Sequence, residues 1–219
     1  SVFFTSQNGS FHSDITFTKI FTGSNFTLAL DRENNLYAWG YNGNGQFGNG
    51  ETSSIASTIP AKISTIGTAL EGKTIADISV GSNGSVLALD SDGKVYSWGY
   101  NGNGQLGNNT TNSSSTPKEV ITVGTPMANK TITAIAAGDG HSLALDSNGK
   151  VYAWGYNYSG QLGNNTSGTN NNSSLPVAVY TSGALNGRSI VSIAAGSGHS
   201  VALDSAGRVY SWGNGNNGQ

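Results

Sequence analysis

The sequence contains no cysteine and very little charge. With no cysteine among 219 residues, disulfide bonds, thiolate metal sites and cysteine nucleophiles are all excluded. Lys and Arg together number 10, Asp and Glu 12, and the net charge is −2 with a pI near 5.8. Binding to a phosphate backbone relies on clustered Lys and Arg, and the chain has no such cluster. We therefore expect no nucleic-acid partner.

Long apolar runs are absent as well. No stretch approaches the roughly 20 apolar residues that cross a bilayer, so no membrane span is predicted. The first ten residues have neither a basic start nor a long apolar core, and no signal peptide is expected in them. Gly, Asn, Ser and Thr supply most of the polarity. Regularly spaced aliphatic residues among them predict strands joined by polar loops rather than disorder.

The chain does contain one stretch that recurs four times. Its clearest copy reads Val-Tyr-Ala-Trp-Gly-Tyr-Asn-Tyr-Ser-Gly-Gln-Leu-Gly at 151–163, and the others occupy 36–48, 95–107 and 209–219. Successive tryptophans lie 59, 56 and 58 residues apart, and a glutamine follows each tryptophan by seven residues. These residues are predicted to form the structural core of each repeat: Trp39, Trp98, Trp154, Trp212, Gln46, Gln105, Gln161 and Gln219.

Each period of 56–59 residues predicts about four short strands and no helix. An aliphatic strand before each copy ends at an Asp that opens a hairpin turn. After each of the first three copies, an Asn-, Ser- and Thr-rich loop runs to Pro60, Pro117 or Pro176, which is predicted to begin another strand. Both faces of such a sheet carry apolar groups, so the sheets must pack against similar sheets. Radial stacking into a β-propeller is therefore predicted.

The repeat pattern also divides the chain. Residues 1–22 do not follow it and are predicted to be irregular N-terminal strands or a degenerate repeat. Residues 23–219 are predicted to be the propeller repeats.

The repeated residues resemble the regulator of chromosome condensation repeat family. The resemblance rests on Ile-Ala-Ala-Gly-Asp-Gly-His-Ser-Leu-Ala-Leu at 135–145 followed by the copy at 151–163, and it covers 23–219. It implies an all-β propeller of four-stranded antiparallel blades, usually seven in a ring. Four copies cannot supply seven blades, so the ring is expected to be incomplete in this chain. We expect it to be truncated, completed by another chain, or replaced by an open or stacked arrangement.

Three motifs resemble functional sites but have simpler interpretations. The glycine pattern at 43–48 and 102–107 follows a strand as a dinucleotide-binding loop does, but no helix is predicted after it, which favours a structural turn. His-Ser pairs at 141–142 and 199–200 lie on strands that point the two side chains to opposite faces, which favours packing over a catalytic triad. Asp-Ser-Asp-Gly at 90–93 lacks the remaining calcium ligands and is interpreted as a hairpin. We predict no catalytic residue, metal site or cofactor.

The long loops are rich in N-glycosylation acceptor triplets. Twelve Asn-x-Ser/Thr triplets occur, against about six expected by chance from the composition. Two of them, at Asn25 and Asn83, occupy a turn position where other repeats have glycine. The predicted glycosylation positions are those in the long loops: Asn108, Asn109, Asn112, Asn164, Asn165, Asn171 and Asn172. They favour an extracellular or surface location, with a cytoplasmic one as the alternative.

Together these features predict a non-enzymatic scaffold. It is expected to bind a protein partner, or itself, through its loops or an open propeller edge, because unpaired strands and apolar faces drive association. The resemblance also implies an alternative, guanine-nucleotide exchange or chromatin-associated binding. A sugar-binding propeller is the other alternative, and its aromatic candidates are Tyr41, Tyr100, Tyr156 and Tyr158.

Overall fold

The computed structural model describes residues 15–219, which form fifteen strands and one 3₁₀ turn, Thr169–Asn171. The strands are β1 (Phe17–Thr22), β2 (Phe26–Asp31), β3 (Leu36–Asn42), β4 (Ser53–Lys62), β5 (Ile75–Val80), β6 (Ser85–Asp90), β7 (Val95–Gly99), β8 (Ser114–Glu119), β9 (Ile132–Ala137), β10 (His141–Asp146), β11 (Val151–Gly155), β12 (Ser173–Ala178), β13 (Ile190–Ala195), β14 (His199–Asp204) and β15 (Val209–Gly213).

The strands form four antiparallel sheets in chain order. The first three sheets are β1–β4, β5–β8 and β9–β12, and the fourth contains β13–β15. Each is a meander in which every strand pairs with the next one along the chain. The predicted all-β fold with four-stranded antiparallel blades is confirmed. β1 lies in the segment predicted to be irregular and pairs with β2; the first fourteen residues of that segment lie outside the described part.

Consecutive blades pack face to face. The first strands β1, β5, β9 and β13 contact one another in sequence, which places them towards the propeller centre. One apolar cluster fills each interface between blades. In the first, Leu28 and Leu36 of blade one are buried together with Ala88 and Tyr96 of blade two. Burying a side chain the size of leucine contributes about 2–3 kcal/mol, so these clusters hold the blades in a fixed relation.

The outermost strands differ from the sequence prediction. β4, β8 and β12 begin at Ser53, Ser114 and Ser173, so Pro60, Pro117 and Pro176 lie inside the strands rather than at their start. Each of these strands pairs on one side only. A proline whose missing N–H faces the open edge removes no ladder hydrogen bond, which allows the strand to extend through it.

The row of blades is open at both described ends. On the outer face of blade four, Val209 is 66% exposed, whereas Val151 at the same position of blade three is 4% exposed. On the outer face of blade one, Ile20 is 68% exposed and its equivalent Ile78 is 4% exposed. Within residues 15–219, the four blades therefore form an arc whose two end faces carry exposed apolar residues.

Candidate functional site

The tryptophans lock neighbouring blades together. Their indole nitrogens donate to the main-chain carbonyl of the motif glutamine in the preceding blade, at 2.9 Å for Trp98 to Gln46, 2.8 Å for Trp154 to Gln105 and 2.9 Å for Trp212 to Gln161. Trp98 and Trp154 are fully buried and Trp212 is partly buried. Trp39 is partly buried beside Phe17, and Gln219 is exposed.

A serine reinforces two of these locks. Ser142 Oγ donates to Gln105 O and Ser200 Oγ donates to Gln161 O, each at 2.8 Å. The corresponding residue of the second blade is Val86, which has no hydroxyl. Among the side chains that the structure describes, the Trp98 indole is therefore the only donor to Gln46 O.

A buried asparagine after each motif tyrosine shapes the loop that follows. Asn101 accepts from the Leu106 amide at 2.9 Å and donates to the carbonyls of Asn112 and Thr110 at 2.9 and 3.0 Å. Asn42 and Asn157 likewise accept a hydrogen bond from the main-chain amide five residues later in the chain. Their role was not predicted, although the repeated Tyr-Asn pair signals it. These loops are turns, as the glycine pattern was interpreted to be.

The hairpin at 90–93 is held by Asp90. Its Oδ1 accepts from the amides of Asp92 and Lys94 at 3.0 and 2.8 Å, and its Oδ2 accepts from the Tyr96 hydroxyl at 2.8 Å. Burial raises the pKa of the Tyr96 phenol, and its hydrogen bond to Asp90 raises it further. The carboxylate is thus occupied by its own turn, as the hairpin interpretation requires.

His141 and Ser142 point to opposite faces of blade three. His141 Nε2 lies 2.9 Å from Ser200 Oγ in blade four, whereas Ser142 faces Gln105 in blade two. Ser200 and Ser142 are both fully buried, and His141 Nδ1 has no hydrogen-bond partner in residues 15–219. Burial lowers the pKa of His141 to about 4, and neighbouring His199 contributes to the decrease. His141 and the two serines therefore pack the interfaces between blades. They cannot form a catalytic triad, because neither serine is accessible and the imidazole has no carboxylate as a hydrogen-bond partner.

A cleft of about 560 Å³ opens on the rim where the first two strands of each blade are joined. Four consecutive blades contribute to its wall, which includes Asn44, Tyr100, Asn103, Asp139, Tyr156 and Ser197. The cleft is shallow and wide open to solvent, so it offers a contact surface rather than an enclosed ligand pocket. The cleft thus brings together two of the four tyrosines that the sequence singled out.

Of the other two tyrosines, Tyr158 lies beside this cleft and Tyr41 does not contribute to it. Tyr158 is 57% exposed and its ring stacks on that of Tyr156, with centroids 6.3 Å apart and an interplanar angle of 12°. In blades one and two, glycine occupies the position of Tyr158, and the hydroxyls of Tyr41 and Tyr100 fold back over Gly43 and Gly102. Tyr41 does not line the cleft.

The predicted glycosylation positions lie in the loops on the same rim. Asn108 and Asn164 accept hydrogen bonds from the hydroxyls of Thr110 and Thr166, so both are engaged in local turns. Asn109 and Asn165 have positive φ of 60° and 63°, a backbone conformation that asparagine tolerates. The side chains of Asn171 and Asn172 bond to Ser167 and Asn157. Asn112 is exposed.

Residues 15–219 contain no group of three or more His, Cys, Asp or Glu that is able to hold a metal ion. They also contain no helix of the length and apolarity that crossing a membrane takes.

The chain matches known repeat patterns along most of its length. A family model of the regulator of chromosome condensation (RCC1) repeat matches 33–88, 92–145 and 148–203. A second model of the same repeat matches 17–46, 75–105, 132–161 and 190–219. The matches are consecutive, as expected for blades in tandem.

Individual proteins share the same region. Probable E3 ubiquitin-protein ligase HERC6 of Homo sapiens is 36% identical over 199 residues, which is 90% of this chain and 18% of the ligase. The crystal structure of Kap60 bound to yeast RCC1 (Prp20) aligns with a TM-score of 0.72 at 29% identity, over 93% of this chain and 45% of that chain. Prp20p from Saccharomyces cerevisiae, studied with its binding to Gsp1p and histones, aligns with a TM-score of 0.73 at 28% identity, over 93% and 46%. The chain spans less than half of each of these proteins.

Proposed function

The chain belongs to the regulator of chromosome condensation repeat family, and we propose that it is a non-enzymatic protein-binding module whose contact surface is the rim cleft. The observation that carries this proposal is the construction of the cleft from four consecutive blades. The blades are fixed by the tryptophan locks, so the loops present their side chains from a rigid support. Rigid presentation lowers the entropy lost on binding.

The chemistry of the cleft fits protein recognition. Tyr, Asn, Ser and Gly provide all but one of its lining residues. Antibody loops use the same residue types, because tyrosine supplies large contact area with few rotatable bonds and small polar residues supply adaptable hydrogen bonds. The exposed ring of Tyr158 extends this surface beyond the cleft.

The relatives support a binding role without identifying the partner. Yeast RCC1 is seen with Kap60, and Prp20p is described with Gsp1p and histones. The HERC6 match lies in 18% of that ligase, so ligase activity is not transferred to this chain. We propose no catalytic step, since the only His-Ser contact among the described residues is a buried packing contact between blades.

Site-specific cross-linking tests the proposal. A photoreactive phenylalanine at Tyr158 should capture a defined protein from an extract of the source cells, and the same probe at Val123, which is 86% exposed on the opposite rim, should not. Tyr158→Gly recreates the residue of blades one and two and should fold normally while binding the captured partner more weakly. Capture at Val123 alone, or unchanged binding by the glycine variant, would refute the rim cleft as the contact surface.

The two alternative functions make different predictions. Guanine-nucleotide exchange requires faster nucleotide release from a small GTPase in the presence of the chain. A sugar-binding propeller requires selective binding on a glycan array that Tyr100→Ala and Tyr156→Ala reduce. Protein capture through Tyr158 with neither of these effects supports the scaffold.

Location, glycosylation and self-association are part of the same proposal. We propose that the loop asparagines are displayed outside the cell and that the open faces around Ile20 and Val209 contact other copies. Native material heavier than the 22.4 kDa chain by multiples of a hexose would support glycosylation. A particle size that grows with concentration would support self-association, and an unmodified monomer at all concentrations would refute both ideas.

A further inference from the structure

Asp139 is the one charged residue among residues 15–219 that lines the rim cleft. It is partly exposed, and its carboxylate has no hydrogen bond or ion pair with any residue in 15–219. This carboxylate on the cleft wall differs from that of Asp90, whose oxygens are occupied by its own hairpin. It is therefore available to a ligand.

Comparison among the blades shows that the fold does not require this charge. The equivalent turn residue is Ser24 in blade one, Ser82 in blade two and Ser197 in blade four. The turn of blade three keeps the same hydrogen bonds as that of blade four, with Gly138 N donating to His141 O as Gly196 N donates to His199 O. Asp139 thus departs from the repeat pattern at an accessible position, where it opposes the decrease in the pKa of the nearby His141 but is not needed by the turn.

The aromatic neighbours complement the carboxylate. Tyr100 and Tyr156 line the cleft with Asp139, and the Tyr156 ring is extended by its stack on Tyr158. The electron-rich faces of aromatic rings attract cations, and a carboxylate attracts them more strongly. No Lys or Arg in the described part of the chain lines the cleft to neutralise this charge.

From this combination we propose that the cleft receives a basic side chain, arginine or lysine, from the protein partner. The inference rests on the proposed function and specifies the chemistry of the partner. Asp139 pairs with the cation, the tyrosines contact its apolar stem or its planar head, and the amides of Asn44 and Asn103 bond to the adjacent main chain.

Nuclear magnetic resonance with short peptides tests the inference directly. The probes are acetyl-Gly-Ser-Arg-Ser-Gly-amide and the same peptide with citrulline, which keeps the shape of arginine without its charge. The arginine peptide should shift the backbone amides of Tyr100, Asp139 and Tyr156 in the nitrogen-15-labelled chain. The citrulline peptide should bind about fivefold more weakly, and raising the salt to about 0.5 M should weaken arginine binding similarly.

Matched variants separate the charge from the fold. Asp139→Ser recreates the residue of the other three blades and should lower arginine-peptide affinity about fivefold. Asp92→Ser removes an exposed carboxylate from a hairpin at the opposite end of the sheet and should leave it unchanged. Equal binding of the arginine and citrulline peptides, or full affinity in Asp139→Ser, would overturn the inference. Binding of methyl glycosides at the same residues in place of the arginine peptide would also overturn it.

The result can be distinguished from failure of the protein-binding proposal. If Asp139→Ser still captures the protein through the probe at position 158 with undiminished yield, the cleft binds a protein but not through a basic side chain. If the probe captures nothing while the arginine peptide binds and Asp139→Ser does not bind it, the cleft recognises cations and the protein-binding proposal falls.

Discussion

His141 and Ser200 meet across the interface between blades three and four, with His141 Nε2 2.9 Å from Ser200 Oγ. Ser200 gives its one hydroxyl proton to the carbonyl of Gln161, so the imidazole must donate from Nε2 and is neutral with Nδ1 unprotonated. A second proton would sit on Nδ1, which is buried without an acceptor in the described chain. This interface therefore opposes protonation of the imidazole.

Stability should consequently fall on mild acidification. The pKa of His141 is about 4 in the folded chain and 6.5 without the fold, so between these values the unfolded state binds a proton that the folded state excludes. The free energy of unfolding should decrease as pH falls from about 6.5 to about 4, by up to about 3 kcal/mol from this residue. Urea unfolding across this pH range measures it. His141→Asn should show a shallower pH dependence than wild type, whereas His199→Asn should flatten it much less, because His199 contributes less than burial to the lowered pKa of His141; identical slopes for all three would contradict the assignment.

The two buried tryptophans should differ in their contribution to stability. Trp98→Phe removes the indole donor to Gln46 O, whereas Trp154→Phe leaves Gln105 O bonded to Ser142. A buried acceptor without a partner costs about 1–3 kcal/mol, so Trp98→Phe should be the more destabilising by about that amount. Denaturant unfolding compares them. Adding Ser142→Ala to Trp154→Phe should remove most of the difference, and a double variant no less stable than Trp154→Phe would count against this explanation.

Removing the tyrosine hydroxyl from the Asp hairpin should matter most where the hairpin is buried. Tyr96 is 2% exposed and donates to Asp90, whereas Tyr210 makes the same bond to Asp204 in the partly exposed fourth blade. Tyr96→Phe should lower the free energy of unfolding by about 2 kcal/mol, because Tyr96 is itself buried and water cannot replace it as the donor, whereas water can reach Asp204 beside the partly exposed Tyr210. Tyr210→Phe should cost less than half as much. Thermal unfolding of the pair measures the difference, and equal losses would show that burial does not control it.

Gly107 should be intolerant of even one added methyl group. It has a φ of 65°, and a Cβ there would lie 2.9 Å from Trp154 Nε1, the atom that forms the lock to Gln105. Gly187 has a φ of 67° and open space around its Cβ position, so it isolates the backbone strain alone. Gly187→Ala should cost about 1 kcal/mol and Gly107→Ala at least about 2 kcal/mol more. Similar midpoints in chemical unfolding would show that the indole moves aside without cost.

Much of the fold follows from the sequence because the repeats determine it. The spacing of the tryptophans, the aliphatic strands and the Asp-started hairpins together require stacked four-stranded sheets. The extension of the outer strands did not follow, because residues such as Ser114 and Ser173 carry no β-strand signal and pair through backbone alone. The partners of the tryptophans were also not predictable. The acceptor is a main-chain carbonyl about fifty residues earlier, and every residue type has such a carbonyl, so the sequence carries no signal for it.

The candidate site was predictable only in part. Tyr100 and Tyr156 were identified as aromatic candidates, but nothing in their local sequence places them on one cleft wall. That requires the blade geometry. Asp139 was visible as a departure from serine in the aligned repeats, yet without the cleft the substitution has no evident meaning.

The tryptophan lock also gives the arc a direction. Every internal blade offers a donor on one face and a carbonyl acceptor on the other, so each interface joins unlike surfaces in the same sense along the chain. A unit copied in tandem carries both halves of this joint and fits its neighbours without any change to them. Blade number can therefore change by duplication or loss of whole units, while an inverted unit would bring two donors or two acceptors together and could not be incorporated.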